Sequence, residues 1–449
     1  MASRSMCDVL PPPKNIDLCY DHAQKRESFV TQIMHNPKFL KLAYMAASVS
    51  VLSLAACSQN TSPQQSEEHT VSTQDTKTSA SAVAKVNYAQ PLGEEDTGIS
   101  NTLSFPYPQN WTIIHDANFN SMIDGRFIVM DSGATSHAYK GSMHGGAVGG
   151  MAVSNKRGEI YIATTYHARG ISGERTDIIA IHDPATLEKT GEIIIPAKRG
   201  ANMPFKNGFR LSGDESLSFT YNFTPAASIS VTDMVGRKVL VEIPIPGCTL
   251  AYPMGATGFA SLCGDGTMMG VSLDASGKVT TETRSAAFNN IDDDSLFLKH
   301  ARFGDTLYFP TFSGNIQPID LSSDTPTPLE KWSLVSAAER DANWRPGGWQ
   351  VIAGDDKGLF YILMHPDGAE GTQKNGGPEV WVFDVAQKKR VAKIKLKTWG
   401  VSVAVAGDRL IVTNAEMQLD IYNLEDRTFT HTFGDGIFTP FIVYTGTGQ

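Results

Sequence analysis

A short apolar strand that ends in Asp or Asn recurs seven times along this chain of 449 residues. The seven copies lie at residues 127–131, 179–183, 229–233, 270–274, 316–320, 380–384 and 419–423. Their spacing averages about 49 residues, close to the length of one four-stranded propeller blade. A repeat of this period constrains the fold strongly, because each copy marks the same strand of one repeated unit.

Further apolar strands flank the repeated strand, as at residues 159–163 before one copy and 188–195 after it. The terminal Asp is suited to cap the hairpin turn that follows, because its carboxylate accepts backbone N–H bonds. We therefore predict an all-β fold, a seven-bladed β-propeller of four-stranded blades, over residues 101–449. Residues 438–444 are expected to pair with a strand near Leu103, which would close the ring and hide exposed sheet edges.

Charge and motif content exclude several functions. The chain carries 38 Lys and Arg against 47 Asp and Glu, and it has no basic block. Nucleic acid is excluded as a partner, because phosphate binding needs clustered positive charge. The sequence has no His-x-His, His-Glu-x-x-His or Cys-x-x-Cys-His motif, so we predict no metal site and no covalently attached haem. The acidic run 292–294 is interpreted as a solvated loop, and the Gly-rich run 144–150 as a close-packed strand near the propeller axis.

The N-terminal region has the pattern of an export signal. Lys38 and Lys41 precede an apolar run at residues 42–56 that is too short to span a membrane, and Cys57 follows it. We interpret residues 34–56 as a signal peptide with a lipobox and Cys57 as the acylated residue. An ordinary signal peptide, in which Cys57 has no special role, is the alternative.

Two further segments surround this signal. Residues 1–33 are interpreted as a mis-assigned start or an extension, because charges and prolines precede the basic residues there. Residues 57–100 are rich in Ser, Thr, Gln, Glu and Lys, a composition that predicts a flexible tether. The expected location is the periplasm, with membrane contact through the lipid anchor alone. Ser58 after the acylated Cys favours the outer membrane.

The widest gap between repeats contains a predicted helix at residues 329–340 and a loop at residues 343–350. Such an insertion in one blade is typical of a functional face. Elsewhere, Cys248 and Cys263 are 15 residues apart, which suits a disulfide worth about 3 kcal/mol in an oxidising compartment. Two buried free thiols are the alternative.

A set of segments then points to a family. In chain order they are Thr164-Thr-Tyr-His-Ala-Arg169, Gly173-Glu-Arg-Thr-Asp177, Gly247-Cys248, Leu262-Cys263-Gly-Asp-Gly266, Trp344-Arg-Pro-Gly-Gly-Trp349, Met364-His-Pro-Asp-Gly-Ala-Glu-Gly371 with Lys374, and Glu379-Val-Trp-Val-Phe-Asp384. Together they resemble the large (heavy) subunit of the quinoprotein amine dehydrogenases, over about residues 105–440. The Thr-Tyr-His and His-Pro-Asp-Gly segments are more similar to the aromatic amine branch than to the methylamine branch.

This resemblance implies a heterotetramer of two large and two small subunits that converts a primary amine to aldehyde and ammonia. The implied cofactor is tryptophan tryptophylquinone, made from two tryptophans of the small subunit, so no catalytic residue is expected in this chain. Electrons are expected to pass to a blue-copper protein of the azurin or amicyanin type. The six Trp of this chain then have packing or interface roles.

The resemblance also implies a role for one aromatic residue. Phe119 ends the segment 114–119, which matches the family segment whose Phe protrudes into the substrate channel. A ring at this position would exclude water and contact the apolar part of the amine. Packing in a blade core is the alternative role for Phe119.

Other residues follow from the same resemblance. Cys248 and Cys263 fall where the family has a disulfide. Trp344, Arg345 and Trp349 are expected at the partner interface. The chain departs from its relatives in two places: Gln373 replaces a family His, and a lipobox replaces simple soluble export.

Two other functions remain open on the sequence. A lipid-anchored propeller could serve as a binding or scaffold protein without catalysis, having kept the fold and lost the partner. A propeller hydrolase with a central metal is disfavoured, because the sequence offers no convincing ligand set.

Overall fold

The computed structural model describes residues 102–200 and 202–446. The predictions for residues 1–33, the signal peptide 34–56, the acylated Cys57 and the tether 57–100 lie outside the described residues. The described part of the chain contains no helix with the length and apolar character that a bilayer crossing requires.

The fold is an all-β propeller with four-stranded antiparallel blades. The strands of the first half are β1 (Trp111–Asp116), β2 (Arg126–Asp131), β3 (Tyr139–His144), β4 (Gly150–Ser154), β5 (Glu159–Arg169), β6 (Ser172–His182), β7 (Lys189–Ile195), β8 (Phe209–Leu211), β9 (Leu217–Asn222), β10 (Ser228–Asp233), β11 (Lys238–Pro244), β12 (Cys248–Met254), β13 (Gly258–Cys263), β14 (Met268–Leu273) and β15 (Val279–Arg284). The strands of the second half are β16 (Ala301–Phe303), β17 (Thr306–Pro310), β18 (Asn315–Asp320), β19 (Thr327–Pro328), β20 (Trp332–Ser333), β21 (Arg345–Pro346), β22 (Ile352–Gly354), β23 (Leu359–His365), β24 (Gly377–Asp384), β25 (Lys389–Ala406), β26 (Arg409–Asn414), β27 (Leu419–Asn423), β28 (Phe429–Phe433) and β29 (Pro440–Thr445).

These strands form six hydrogen-bonded sheets within the described residues. Four sheets have four strands, in the orders β29-β1-β2-β3, β4-β5-β6-β7, β8-β9-β10-β11 and β12-β13-β14-β15. A fifth sheet contains β16 to β20, and the sixth contains the eight strands β21 to β28. The sixth sheet is continuous because the 18-residue strand β25 pairs with β24 through its first part and with β26 through its last part.

In every copy, the repeated strand found in the sequence is the third of four consecutive hydrogen-bonded strands. Each such set of four is called a strand row here. The seven copies coincide with β2, β6, β10, β14, β18, β24 and β27. Each terminal Asp or Asn accepts a backbone N–H from the turn that follows, as the sequence predicts. The seven acceptors are Asp131, Asp183, Asp233, Asp274, Asp320, Asp384 and Asn423.

Ring closure uses a different partner from the one predicted. The last strand, β29, pairs with β1, so that Thr445 lies opposite Thr112 and Tyr444 opposite Ile113. The predicted pairing near Leu103 is wrong, because Leu103 bonds to Ala185 through its backbone and packs against the core of the first two sheets. The chain's two described ends are thus joined in one blade.

The predicted helix at 329–340 is also mostly wrong. Residues 332–333 form strand β20, which pairs with β18, and the helix α1 spans only Ala337–Asp341. The helix begins late because Ser336 and Glu339 form a reciprocal capping box, which sets its first turn.

The Gly-rich run 144–150 is close-packed, as predicted, but most of it is a turn that connects β3 to β4. A Cβ on Gly125 would lie 2.2 Å from the backbone carbon of Gly146, and one on Gly150 would lie 2.7 Å from Cβ of Phe209. Gly150 begins β4, the first strand of its sheet, so the missing side chain lets β4 approach β8 closely.

Candidate functional site

Phe119 lies just after the end of β1, on an exposed turn. Its side chain is 38% exposed, so it is not a blade-core residue. Its backbone N–H donates to Thr439 Oγ1 at 3.3 Å, and its ring centroid lies 5.5 Å from that of Phe441. The turn therefore presents the Phe119 ring at the surface while the backbone is held by the segment before β29.

Phe119 is the first member of a row of four rings, here called the aromatic row. From Phe119 the row continues through Phe441, Trp349 and Phe205, with centroid separations of 5.5, 5.9 and 5.5 Å. Such spacings are typical of packed aromatic pairs. Trp349 was predicted from the sequence at the partner interface, and the row connects it to Phe119. Phe441 and Phe205 were missed, since neither is near Phe119 in the chain.

All four rings lie at one face of the propeller because of strand direction. Phe205, Trp349 and Phe441 lie just before or at the start of β8, β22 and β29. Each of these strands is the first in its strand row. Phe119 follows the end of β1, which is antiparallel to β29, so the end of β1 meets the start of β29. The aromatic row therefore crosses the face at which the first strands begin.

Lys299 covers the far end of the aromatic row. Its Nζ lies 4.3 Å from the ring centroid of Trp349 and 4.9 Å from that of Phe205. Burial lowers the pKa of Lys299 to about 8. The cation stacked on two rings stiffens this end of the row.

A buried carboxylate fixes the segment beneath Phe119. Asp116 is fully buried, and its Oδ1 accepts the backbone N–H of Thr439 at 2.7 Å and that of Phe438 at 3.1 Å. Arg126 Nε lies 3.6 Å from Oδ2 of the same carboxylate. One side chain thus satisfies two backbone donors and ties the segment before β29 to the end of β1.

Apolar side chains surround this turn at the surface. Phe119, Met122, Ile123 and Phe438, here called the apolar rim, lie within four residues of Phe119 or Thr439 in the chain. The last three are 49%, 49% and 50% exposed. These four side chains make the surface around this turn apolar.

His115 lies beside this turn and is fully buried, so its ring does not reach the surface where Phe119 is exposed. Its ring stacks on Phe127 at 4.4 Å, and its Nε2 lies 3.0 Å from the carbonyl oxygen of Gly146. Burial lowers the pKa of His115 to about 4, against the smaller opposing effect of the Gly146 hydrogen bond. The neutral ring donates Nε2–H to that carbonyl and holds the turn after β3.

The predicted interface residues of the 343–350 loop lie in different environments. Trp344 packs on the buried Trp381 at 5.1 Å, inside the core of its sheet. Arg345 stacks on the ring of Phe312 at 4.7 Å. Trp349 alone of the three joins the aromatic row. The backbone oxygen of Gln373 accepts the N–H of Gly348 at 2.9 Å, so Gln373 holds this loop through its main chain.

Two of the sequence segments used above meet in one hairpin. Residues 164–169 and 173–177 are the facing ends of β5 and β6, with Thr165 opposite Asp177. The buried Asp177 binds Arg175 at 2.7 Å and accepts Thr165 Oγ1–H at 2.8 Å. This network keeps the extended hairpin in place.

Cys248 and Cys263 form a disulfide between β12 and β13. They lie directly opposite each other in the register of the two strands, and both are buried. The bridge therefore links the first two strands of one blade, far in sequence from Phe119.

The family model for the methylamine dehydrogenase heavy chain matches residues 113–428. The chain belongs to the methylamine dehydrogenase heavy chain family. The resemblance seen in the sequence is therefore confirmed, and the protein is a heavy subunit of an amine dehydrogenase.

Individual members of this heavy chain family align over different lengths. The heavy chain of Methylorubrum extorquens is 27% identical over 372 residues, covering 82% of this chain and 87% of that relative. The heavy chain of Paracoccus versutus is 29% identical over 238 residues, covering 52% and 55%. That of Methylobacillus flagellatus is 26% identical over 265 residues, covering 58% and 66%. The first alignment extends along most of both chains.

Proposed function

We propose that this heavy chain supplies one wall of the substrate channel in a periplasmic enzyme that oxidises primary amines, with aromatic amines favoured over methylamine. The observation that carries the proposal is the exposed ring of Phe119, held at the surface by Thr439 and continued inward by the aromatic row. A wall of stacked rings suits an aryl substrate, because it offers apolar contact and excludes water.

The proposed cofactor, tryptophan tryptophylquinone, belongs to a small partner subunit and not to this chain. It is built from two linked tryptophans, and the closest pair here, Trp344 and Trp381, does not fit that role. Trp381 is fully buried, donates Nε1–H to Glu379 at 2.7 Å and is covered by Lys393 at 4.1 Å. Trp381 belongs to the core of its sheet, and the partly buried Trp344 packs against that core.

The small subunit is proposed to cover the apolar rim, in an assembly of two heavy and two small chains. When bound, the quinone supplies the electrophilic carbonyl and the electron sink. The residues of this chain orient the amine and keep water out: Phe119 from the rim, and Phe441 and Trp349 from behind it. Electrons would then leave to a blue-copper protein of the azurin or amicyanin type.

The proposed location is the periplasm, with a lipid anchor at Cys57 in the outer membrane. The export pattern before Cys57 supports this, as does the disulfide between Cys248 and Cys263, which needs an oxidising compartment. We also infer seven blades, counting the eight-stranded sheet as two blades that share β25. The two repeated strands in that sheet, β24 and β27, support the count.

The test is purification of the tagged full chain from its native periplasmic and membrane fractions, followed by visible spectra with tyramine or methylamine. A co-purifying small subunit whose quinone band bleaches on amine addition is expected, with tyramine the faster reductant. Faster bleaching by methylamine would refute the aromatic preference. A colourless protein without a partner would refute the enzyme role and favour the scaffold function.

A further inference from the structure

The propeller axis contains a cavity of about 940 Å³ behind the aromatic row. Its walls come from the first strand of each strand row, namely β4, β8, β12, β16, β22, β25 and β29. Phe205 and Trp349 lie at the end where these strands begin, and exposed turn residues such as Ala256 and Asp356 surround the other end. The cavity is therefore an axial channel that opens to solvent at its turn end and meets the aromatic row at the other.

Lys299 presents an amine to this channel at the end of the aromatic row. It lies two residues before β16 and lines the cavity. Its Nζ lies 4.3 Å from the ring centroid of Trp349 and 4.9 Å from that of Phe205. Within residues 102–200 and 202–446, this Nζ makes no hydrogen bond and no ion pair. The amine is thus held against two rings by its contacts with their faces.

The carboxylates that line the described part of the channel are remote from Lys299. They all lie in turns that follow the first strands β8, β16 and β22, at the turn end, and they are Asp214, Glu215, Asp305, Asp355 and Asp356. The other charged residues of the lining are basic, namely Lys156, Lys206, Arg210 and Arg302. A nearby carboxylate would favour the charged form of a lysine, and this end of the lining supplies none.

Enclosure favours the neutral form of this amine. Burial lowers the pKa of Lys299 from 10.5 to about 8. A lysine amine is nucleophilic only when it is deprotonated. At pH 7.5 such a pKa leaves roughly a quarter of the amine neutral, against roughly 0.1% for an ordinary exposed lysine. The neutral fraction of Lys299 is therefore larger by about a hundredfold or more.

The other two lysines of the channel have different surroundings. Lys156 is exposed at the turn end and donates from Nζ to the carbonyl oxygen of Asp214 at 2.9 Å. Lys206 covers the ring of Tyr444 at 5.1 Å and has another partner as well. Burial also lowers the pKa of Lys206, to about 7. Lys299 differs from both, because its amine has only ring contacts and lies between two aromatic side chains.

We propose that Nζ of Lys299 is a reversible covalent binding site for aldehydes, with aryl aldehydes preferred. The neutral amine attacks the carbonyl carbon, and one amine proton passes to the oxygen to give a carbinolamine. The hydroxyl group then leaves as water with the second amine proton, and the product is an imine, with no net oxidation or reduction. Trp349 and Phe205 would contact the aryl group of the bound aldehyde.

This inference goes beyond the proposed function, because it concerns the axial channel and needs no partner subunit. An aldehyde can reach the channel from solution, through the turn end. If the proposed amine oxidation holds, its product belongs to the same chemical class. Failure of that function would leave the Lys299 site in place, and the experiment below uses the heavy chain with added aldehyde.

The test is incubation of the full chain with benzaldehyde at pH 7.5, reduction with sodium cyanoborohydride and peptide mapping by mass spectrometry. Reduction turns the imine into a stable secondary amine that marks the residue. We expect the adduct to form at Lys299 at least about tenfold faster than at Lys156. Adducts spread evenly over the exposed lysines, or concentrated at Lys206, would overturn the proposal.

A matched pair of variants checks the assignment. Lys299→Met and Lys156→Met each remove one lysine from the same channel, and Lys299→Met keeps an apolar side chain against the two rings. Only Lys299→Met should abolish the fast adduct, and its survival in that variant would refute the site. Mapping of the wild-type chain decides the question even if Lys299→Met does not fold.

A second aldehyde tests the role of the rings. The ratio of benzaldehyde to acetaldehyde adduct should be larger at Lys299 than at Lys156, because only Lys299 has aromatic side chains beside its Nζ. Trp349→Leu should lower this ratio at Lys299. Equal ratios at the two lysines would refute the aryl preference.

Discussion

The carboxylate of Asp116 accepts the backbone N–H of Thr439 at 2.7 Å, across 323 residues of sequence. Asp116 ends β1, and Thr439 stands immediately before β29, so the bond joins the two strands that close the ring. Because Thr439 also holds the backbone of Phe119, closure of the propeller and placement of the Phe119 ring depend on the same contacts.

Asp116→Ala should therefore be strongly destabilising. The substitution leaves two buried backbone N–H groups without their acceptor and separates Arg126 from its partner, at a cost of about 2–4 kcal/mol. Urea unfolding of the full chain measures this change. Asp408→Asn is the control, because Asp408 is 56% exposed in its pair with Arg409 and should change stability by less than about 1 kcal/mol. Equal effects of the two substitutions would contradict the anchoring role.

Phe119→Ala should change amine specificity more than stability. Removing this ring would widen the proposed substrate channel and take away its apolar contact with an aryl group, so kcat/KM for aryl amines should fall relative to short alkyl amines by about tenfold. The measurement is steady-state kinetics of the assembled enzyme with both substrates. Phe429→Ala is a matched control, because Phe429 is 37% exposed and lies on the outermost strand β28. An unchanged ratio in Phe119→Ala would remove Phe119 from the channel.

Loss of the disulfide should lower thermal stability without changing amine specificity. Closing a loop of 15 residues contributes about 3 kcal/mol in the chain-entropy description, so Cys248→Ser with Cys263→Ser should lower the melting temperature. Calorimetry of wild type and double variant measures the shift, and the ratio of kcat/KM for the two amines should stay constant. Identical melting curves would show that the bridge adds no stability.

The capping residue Glu339 predicts a pH-dependent contribution to stability. Burial acts to raise its pKa, but hydrogen bonds from Arg390 and Lys393 outweigh that and lower the pKa to about 2. Its stabilisation is thus present above the usual pKa of about 4.5 and is lost as the pH falls through about 2.

Glu339→Gln tests this prediction. At pH 7 the variant should lose about 1 kcal/mol, because Gln can still accept the capping hydrogen bond but loses the charge-assisted bonds from Arg390 and Lys393, and the difference from wild type should shrink towards pH 2. Denaturant unfolding across that pH range measures it. Glu330→Gln, at an exposed pair with Lys388, serves as the control and should show a smaller difference. A difference that does not depend on pH would refute the ionic contribution of Glu339.

Local features of the fold could be predicted because they depend on neighbouring residues. The repeated strand and its terminal Asp identify the third strand of each row, since alternation and turn capping act over a few residues. The helix at 329–340 was misjudged for the opposite reason. Whether residues 332–333 join a sheet depends on the distant strand β18, while the local cap at Ser336 sets where the helix begins.

The candidate site could be predicted only in part. Phe119, Trp349 and the cysteines came from a resemblance that is carried by short segments. Phe441 and Phe205 were missed because a ring-to-ring contact leaves no signal in the spacing of either residue. The role of Asp116 was missed, because its bonds to residues 438 and 439 follow from the pairing of β1 with β29.

The amino-acid sequence by itself determined the strand repeat, its capped turns, the family and the cysteine pair, because these follow from short-range patterns. The tertiary structure alone decided which strands close the ring, how four rings from distant segments form the aromatic row, and that Lys206, Arg210 and Arg302 share one channel. The physical reason is the ring itself. Radial packing brings the starts of all the first strands to one axis, so side chains far apart in sequence come within contact and electrostatic range.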